Sequence, residues 1–316
     1  MNFDVSVVIP NYNCQQYLAK CLSSVAMQSK VNVEIIVIDD GSSDDSVEWL
    51  MNIQNAVPNL VLLQQENKGV VAARNTAISA ARGEFIAFLD ADDYWTTDKL
   101  FTQIEFMRNN STIVLSFTNY MHVTEDGKDI VDCFGYWSEF HRFEHNSRDY
   151  FEMQDPYSFI MYANVIGTST VVARKEAIEK VGGFSSTLKS ASDWDCWLKL
   201  ANIGTFAYTY DVSMAYLMRS NSITSNRRNR LDAMQAIWQN ALSRVPVSTS
   251  TRVKMYARWL ESLSEYHDIN RNMFRSFWYS CGAAVLFPHK RNIRRAISLV
   301  ARCLKVKAYH EKNTTS

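Results

Sequence analysis

Short apolar runs recur at regular intervals in the first 110 residues of this chain of 316 residues. Continuous apolar runs of this length, followed by small polar or acidic residues, are typical of buried strands. The predicted strands are 5–9, 33–38, 60–63 and 85–89. Between the first two, apolar residues return at the spacing of a core-facing helix: Tyr17, Leu18, Cys21, Leu22 and Val25. Strands that alternate with helices predict a parallel sheet with helices on both faces.

Proline, glycine and capping residues set the expected ends of several elements. Pro10 is expected to stop the first strand, and Ser42 with Asp45 forms a weak capping box for a helix that runs to about residue 54. An alanine-rich helix is expected to end at Gly83. Farther along, the same reasoning predicts strands at 168–173 and 214–218 and helices at 174–181 and 192–201. After residue 227 the pattern is helical.

Each of the four early strands is followed by a cluster of polar residues. The clusters are 10–13, 39–42, 66–69 and 90–93. Ligands of open parallel sheets bind at the carboxyl ends of the strands. Four such clusters at one edge of a sheet therefore indicate a binding site.

The most acidic cluster contains Asp90, Asp92 and Asp93. Three like charges at one mouth of a sheet repel one another unless a cation lies among them. Ligands that are all oxygen suit Mn²⁺ or Mg²⁺, which bind one or two carboxylates and take their other ligands from phosphate and water. The alternative is an acidic loop that caps the next helix.

The composition excludes several classes of protein. The 33 basic and 33 acidic residues cancel, so no nucleic acid is expected as a partner. Six scattered cysteines without a CxxC pair indicate small buried side chains in a reducing compartment. The early first strand leaves no room for a signal peptide, and no apolar run approaches the roughly 18 residues that span a bilayer. The expected location is cytoplasmic.

Five segments, in their order along the chain, resemble glycosyltransferase family 2. They are 7–13, 36–44, 67–75, 88–93 and 182–195, the last running from Gly182-Gly183-Phe184 to Asp193-Trp194-Asp195. The resemblance covers roughly residues 4–225. It implies an inverting nucleotide-sugar enzyme of the α/β GT-A fold, with a Rossmann-like, mostly parallel sheet flanked by helices. The expected domains are 1–225, with a nucleotide-sugar half at 1–110 and an acceptor half at 118–225, and a helical extension at 226–316.

The resemblance implies a nucleotide-binding role for several side chains. Asp40 resembles the carboxylate that accepts a hydrogen bond from the ring N–H of the base, and an acceptor-only group suits the imide of uracil. Pro10 and Tyr12 would line the base pocket. Asn67 and Arg74 would complete nucleotide recognition, and Arg74 would offer its forked donors to a carbonyl or a phosphate. The alternative for Arg74 is a place on a solvated helix face.

The acidic cluster would hold the metal and the diphosphate of the donor. Asp92, with Asp90 or Asp93 beside it, would place a cation against the negative charge that grows on the leaving nucleoside diphosphate. The family suggests that Asp92 and Asp93 meet metal and ribose. Which of the three acids is the direct ligand stays open at this stage.

Asp193 is the expected catalytic base, since an acceptor hydroxyl must lose its proton as it attacks the anomeric carbon. Relatives carry a Glu-Asp pair here, and Ser192 replaces the glutamate. Asp195 is a rival base, and helix capping is the structural alternative for Asp193. Arg219 is expected either to reach the diphosphate or to lie at the surface, and Asn221 stands where relatives carry a histidine.

The last 46 residues are basic and aromatic, with one acid, Glu311. Cations interleaved with large apolar side chains are typical of a helix that lies on a membrane interface, here the inner face of the cytoplasmic membrane. A helical hairpin that packs on the catalytic domain or forms a homodimer is the alternative. His141 and His145 lack the pattern of a zinc site and indicate surface or acceptor-site histidines.

Rival functions are disfavoured by what the first strand lacks. No glycine-rich loop follows it, as a dinucleotide-dependent oxidoreductase or a nucleotidyltransferase would require. A nucleotide-sugar-binding protein that has lost catalysis is a further alternative. The expected partners are a nucleotide sugar, with UDP as the nucleotide, and a glycan or lipid-linked saccharide acceptor.

Overall fold

The computed structural model describes residues 3–96, 98–137, 140, 149–188, 190–218 and 227–314, with side chains described up to residue 302. The chain divides into two compact units. The first unit comprises Met1–Tyr157 and Val165–Ser222, and the second comprises Ser158–Asn164 and Ile223–Ser316. The short segment 158–164 thus belongs to the second unit although its flanks belong to the first.

The first unit is built on one mixed sheet with helices between its strands. The strands are β1 (Val5–Asn11), β2 (Val33–Asp39), β3 (Leu60–Gln64), β4 (Phe85–Phe88), β5 (Tyr94–Trp95), β6 (Ile113–Val123), β7 (Asp129–Asp132), β8 (Phe151–Met153), β9 (Val172–Arg174) and β10 (Thr205–Leu217). The helices are α1 (Gln15–Ala26), α2 (Ser46–Gln54), α3 (Val70–Ala80), α4 (Lys99–Asn109), α5 (Cys133–Tyr136), α6 (Pro156–Tyr162, which continues into the second unit), α7 (Lys175–Lys180) and α8 (Ser192–Ala201).

The strand order is β3-β2-β1-β4-β9-β6-β10-β5, with β7 beside β6 and β8 beside β10. The first four strands pair in parallel, as the sequence predicts, and β6 pairs in parallel with β10. β9 is antiparallel to both β4 and β6, so it joins the two parallel parts. All seven residues of β2 are buried, which explains its mostly apolar sequence, and the buried Glu34 accepts from Ser6 at 2.5 Å and from Arg82 at 2.6 Å.

The prediction that Pro10 stops the first strand is wrong, because β1 continues to Asn11. The Val8 carbonyl accepts from Leu89 on the β4 side, and the Asn11 carbonyl accepts from Asp40 on the β2 side. Backbone groups of a parallel strand alternate between neighbours, so the nitrogen of Pro10 faces the β4 side. There the pairing with β4 has already ended, and the missing N–H interrupts no ladder.

Three other predicted boundaries are wrong. α2 begins at Ser46, and the Ser42 hydroxyl is committed elsewhere, donating to Asp39 at 2.6 Å. The predicted strand 168–173 is instead a 3₁₀ turn, Thr168–Thr170, followed by β9. The last strand, β10, begins at Thr205 rather than at residue 214.

The second unit is helical. Its helices are α9 (Arg227–Arg244), α10 (Thr249–Ile269), α11 (Met273–Leu286) and α12 (Lys290–Thr314). Acids of α10 pair with three of the C-terminal cations: Glu261 contacts Arg291 at 2.8 Å, and Asp268 contacts Arg295 at 3.7 Å and Arg302 at 2.8 Å. Part of the basic charge after residue 271 is therefore neutralised by ion pairs within this unit.

Among the described residues, Cys14, Cys21, Cys133 and Cys196 are buried free thiols. None of the helices, over the part of the chain that the structure describes, combines the length and apolarity needed to cross a bilayer.

Candidate active site

The ends of β1 and β2 are tied together by side chains. The Asn11 amide donates to Asp39 Oδ1 at 2.7 Å, and Ser42 donates to the same oxygen. Ser42 Oγ in turn accepts from the Asn13 backbone N–H at 2.9 Å. Asn13 has a left-handed φ of 50°, and its own Oδ1 accepts from the Ser43 N–H. Asp39 is therefore structural, since it braces the floor of the site.

Asp40 is buried and holds the loop that precedes α3. Its Oδ1 accepts from the Gln65 amide at 2.7 Å and from the Lys68 N–H at 2.9 Å, and its Oδ2 accepts from the Gly69 N–H at 2.8 Å. Gly69, at a φ of 86°, is the N-cap of α3. A carboxylate offers about four acceptor positions, so these three contacts leave Oδ2 able to accept one more donor.

The other predicted base-pocket residues lie on neighbouring segments of the fold, and one of these segments accepts the Asp40 N–H at the Asn11 carbonyl. Pro10 is half-buried at the end of β1, whereas Tyr12 is exposed over half of its surface. Asn67 is exposed in the loop between β3 and α3. Its backbone lies so close to Gly41 that a Cβ there would meet Asn67 N at 2.9 Å.

Arg74 does not lie on a solvated helix face; it is buried on α3 and points at the acidic cluster. Its Nη2 contacts Asp90 Oδ1 at 2.6 Å, and its guanidinium lies 5.4 Å from the centre of the Phe184 ring. Burial lowers the pKa of Arg74, but the charges of Asp90, Asp193 and Asp93 outweigh that effect and raise it. Arg74 is therefore a fixed cation between the two predicted acidic groups.

Asp93 is buried at the end of the acidic cluster. Its Oδ2 accepts from the Ser169 hydroxyl at 2.6 Å, and its Oδ1 accepts from the Leu217 N–H at 3.3 Å. Burial raises the pKa of Asp93 well above its usual range, and the charges of Asp92 and Asp90 raise it further. Asp92 and Asp90 are only partly buried.

Asp193 lies in the first turn of α8 and is partly buried. Its Oδ2 accepts from the Thr168 hydroxyl at 3.2 Å, and its Oδ1 accepts from the Trp194 N–H at 2.8 Å. The rival acid, Asp195, is buried and contacts Lys199 at 3.1 Å, while Lys199 also donates to the Gly183 carbonyl. Asp195 is therefore occupied by a structural ion pair.

Two neighbouring hydroxyls connect the acidic cluster with Asp193. Thr168 contacts Asp193, and Ser169 contacts Asp93, so the two predicted groups lie at one place in the fold. Sequence reasoning missed both residues, because 168–173 follows the pattern of an apolar strand. Only the polar Thr168-Ser169-Thr170 start of that run signals a turn.

Three predicted positions, Arg219, His141 and His145, lie outside the described residues. No inference about the site depends on them.

The carboxylate oxygens of the acidic cluster fit a divalent cation whose other ligands come from a phosphate and water. Within the described residues, no three acids, histidines or cysteines form a metal cage by themselves. Mg²⁺ and Mn²⁺ sites of nucleotide enzymes need only one or two carboxylates, and phosphate and water complete the shell. Within this cluster, Asp90 contacts Arg74, and both oxygens of Asp93 accept hydrogen bonds.

The chain is similar to several known proteins. A model described as Glycosyl transferase family 2 matches residues 6–175. The chain is 32% identical over 225 residues to TuaG of Bacillus subtilis, named as a teichuronic acid biosynthesis glycosyltransferase, covering 71% of this chain and 82% of that one. It is 29% identical over 229 residues to WfaP of Escherichia coli, a UDP-Glc:α-D-GlcNAc-diphosphoundecaprenol β-1,3-glucosyltransferase, covering 72% and 82%.

Solved structures show the same fold at low identity. TarS 1-349 of S. aureus in complex with UDP-GlcNAc superposes with a TM-score of 0.65 at 19% identity, covering 95% of this chain and 89% of that one. The mannosyltransferase PcManGT of Pyrobaculum calidifontis, solved with GDP-Man and Mn²⁺, gives 0.64 at 17% identity, covering 99% and 83%. The chain therefore belongs to glycosyl transferase family 2, with the GT-A fold that its sequence motifs predict.

Proposed function

We propose that this protein is an inverting, metal-dependent glycosyltransferase that moves a hexosyl or N-acetylhexosaminyl group from a UDP-sugar to a hydroxyl of a glycan or lipid-linked saccharide. The observation that carries the proposal is the meeting of Asp93 and Asp193 on the adjacent residues Ser169 and Thr168. An acid that serves the leaving group and an acid that serves the acceptor must flank one anomeric carbon. Their contact with one turn supports that arrangement.

Asp92 is proposed as the main ligand of Mn²⁺ or Mg²⁺, with Asp90 and Asp93 beside it. The cation would neutralise charge on the departing diphosphate. Arg74 contacts Asp90 at 2.6 Å and thereby orients its carboxylate. This contact also offsets part of the repulsion among the three acids while no cation is bound.

Asp193 is proposed as the base that removes the proton of the acceptor hydroxyl. The Thr168 hydroxyl and the Trp194 N–H fix the carboxylate, and neither neutralises its charge. A single displacement by that hydroxyl, from the side opposite the leaving group, inverts the anomeric configuration. Asp195 is not proposed for this role because Lys199 already pairs with it.

Asp40 and its surroundings are proposed as the base-binding end of the site. The carboxylate can accept from the ring N–H of uracil, which cytosine lacks at the equivalent position. Pro10, Tyr12 and Asn67 would surround the nucleoside. The UDP-sugars named for WfaP and TarS support uracil, and the GDP-Man of PcManGT makes guanine the alternative to test.

The acceptor is proposed to be lipid-linked, in the synthesis of a surface polysaccharide. The names of TuaG and WfaP support this class of product. Exposed apolar side chains on α11 and α12 support attachment to a membrane surface: Phe274, Trp278, Val285, Ile293, Ile297 and Val300. The exposed cations Arg275, Lys290 and Arg294 accompany them, and each would gain about 1 kcal/mol near anionic lipid.

Thermal unfolding with UDP, GDP or CMP, each with Mn²⁺ and with EDTA, tests the donor assignment. We expect UDP to raise Tm only when Mn²⁺ is present. A ligand that binds only the folded state stabilises it by about 2.7 kcal/mol at 100 times its Kd, which thermal unfolding detects. If GDP stabilises the protein and UDP and CMP do not, the base of the donor is guanine rather than uracil. No stabilisation by any nucleotide would overturn the proposal, and UDP binding without transfer to any acceptor would favour a protein that has lost catalysis.

A further inference from the structure

The turn Thr168–Thr170 touches both proposed halves of the reaction, yet it contributes no charged group. Two of its three hydroxyls contact the acids: Thr168 donates to Asp193 at 3.2 Å, and Ser169 donates to Asp93 at 2.6 Å. Ser169 Oγ also accepts from the Asp90 N–H at 3.0 Å. One hydroxyl therefore fixes the side chain of one acid and the backbone of another.

Two carbonyls of the same turn accept from other side chains. Trp95 Nε1 donates to the Ser169 carbonyl at 2.6 Å, and the Gln103 amide donates to the Thr170 carbonyl at 3.1 Å. Gln103 also donates to the Ser116 carbonyl and hydroxyl, which anchors it to β6. Both Trp95 and Gln103 are buried. The turn is thus held between two fixed donors and two acids, which limits its movement.

We infer that Thr168 and Ser169 are positioning residues that set the separation between the diphosphate-binding acids and the base, an inference that rests on the proposed function. Ser169 acts on the donor side, through Asp93 and the Asp90 backbone. Thr168 acts on the acceptor side, through Asp193. Because the residues are adjacent, a shift of the turn would move both acids together, whereas loss of one hydroxyl would release only one acid.

This division predicts that two single substitutions change different kinetic parameters. Thr168→Val should lower kcat about tenfold with the donor KM within about twofold, since an interaction with the base is lost. Ser169→Ala should weaken binding of UDP with Mn²⁺, and raise the donor KM, about tenfold, while kcat changes less than about threefold. Thr168→Ser keeps the hydroxyl and should restore kcat.

Matched controls remove a buried hydroxyl elsewhere. Ser213 donates to Thr118 at 2.6 Å between β10 and β6, and neither side chain contacts an acid of the site. Thr118→Val and Ser213→Ala should lower thermal stability without changing kcat, KM or the affinity for UDP with Mn²⁺. They separate loss of folding energy from loss of positioning.

The measurements are calorimetric titration of UDP in the presence of Mn²⁺ and release of UDP from UDP-glucose and UDP-N-acetylglucosamine. The inference would be overturned if both variants changed kcat and the donor KM equally, or if neither variant changed them, provided that the wild-type protein binds UDP. If wild-type protein hydrolyses neither donor, the binding arm for Ser169→Ala decides. If wild-type protein binds no UDP with Mn²⁺, the proposed function itself fails.

Discussion

Asn75 on α3 holds both backbone polar groups of Phe184, which lies 109 positions later in the chain. Its amide donates to the Phe184 carbonyl at 2.9 Å, and its Oδ1 accepts from the Phe184 N–H at 3.0 Å. Phe184 also packs edge-on against Phe88 of β4, with ring centres 5.3 Å apart. The turn that leads to α8 is therefore fixed directly to the helix that carries Arg74.

The turn itself depends on Gly183, whose φ is 63° and whose added Cβ would meet Asn75 Oδ1 at 2.7 Å. Gly183→Ala should lower the free energy of unfolding by about 1–2 kcal/mol from backbone strain, and further through displacement of Asn75. Gly127→Ala is the control, because Gly127 also has a positive φ but no atom within 4 Å of its added Cβ. Urea unfolding of both should show the larger loss for Gly183→Ala; equal losses would contradict a role for the Asn75 contact.

Asp193→Asn should reduce turnover by about 10²–10⁴, the range for loss of a general base, and leave the affinity for UDP with Mn²⁺ unchanged. Asp195→Asn is the comparison. It breaks the ion pair with Lys199 and should lower stability more than turnover. Rates of UDP release with calorimetric binding check both variants. The reverse pattern, with normal turnover in Asp193→Asn, would transfer the role of base to Asp195.

Asp92→Asn should remove the dependence of UDP binding on Mn²⁺, because a neutral amide is a much weaker ligand for a hard cation. Asp126→Asn, which alters an exposed acid paired with Lys128 on the β6–β7 connection, should have no effect. The measurement is calorimetric titration of UDP with Mn²⁺ and with EDTA. An unchanged difference between the two titrations would place the metal on other ligands.

The sequence predicted the early strands well because β1, β2 and β4 are almost wholly buried and therefore mostly apolar. Asp90, Asp92 and Asp93 were predicted from their position after a strand, and Asp193 was predicted from the resemblance to the family. Their connection could not be predicted, since Thr168 and Ser169 precede an apolar run and show no periodic signal. Arg74 illustrates the same limit: its burial results from contact with Asp90 and Phe184, which no local pattern encodes.

We expect Lys99 to make the stability of the fold depend on pH in the alkaline range. It is fully buried and donates to Gln103 Oε1 at 2.6 Å, and burial lowers its pKa well below the usual lysine range. Between that lowered pKa and the unfolded value of about 10.4, the unfolded chain binds a proton that the folded chain lacks, so stability rises with pH.

Lys99→Met removes this titration. The free energy of unfolding of the wild type should therefore rise with pH relative to Lys99→Met, by up to about 1.4 kcal/mol per pH unit, in urea unfolding between about pH 8 and 10. The exposed Lys180→Met variant should follow the wild type in parallel. Parallel curves for Lys99→Met as well would show that the ammonium stays charged in the folded state.

The exposed aromatic side chains of α11 should contribute to membrane attachment. Phe274→Ser combined with Trp278→Ser should reduce affinity for phosphatidylglycerol-rich vesicles about tenfold or more, because each ring loses roughly 1.5–3 kcal/mol of burial. Tyr256→Ser on α10 removes an equally exposed ring and should have little effect. Co-sedimentation with vesicles measures the loss. Unchanged co-sedimentation, with a change from dimer to monomer in ultracentrifugation, would assign the face to self-association.

The assignment of segment 158–164 to the helical unit has a practical consequence for genetic dissection. Trp238 of α9 donates to the Met161 carbonyl at 2.7 Å, and Lys254 of α10 lies over the Tyr162 ring. A chain cut after residue 222 would retain Ile160, Met161 and Tyr162 while losing the helices that cover them. We therefore expect a truncated chain to expose apolar residues and to misfold or aggregate. Point substitutions are the better way to test the role of the C-terminal helices.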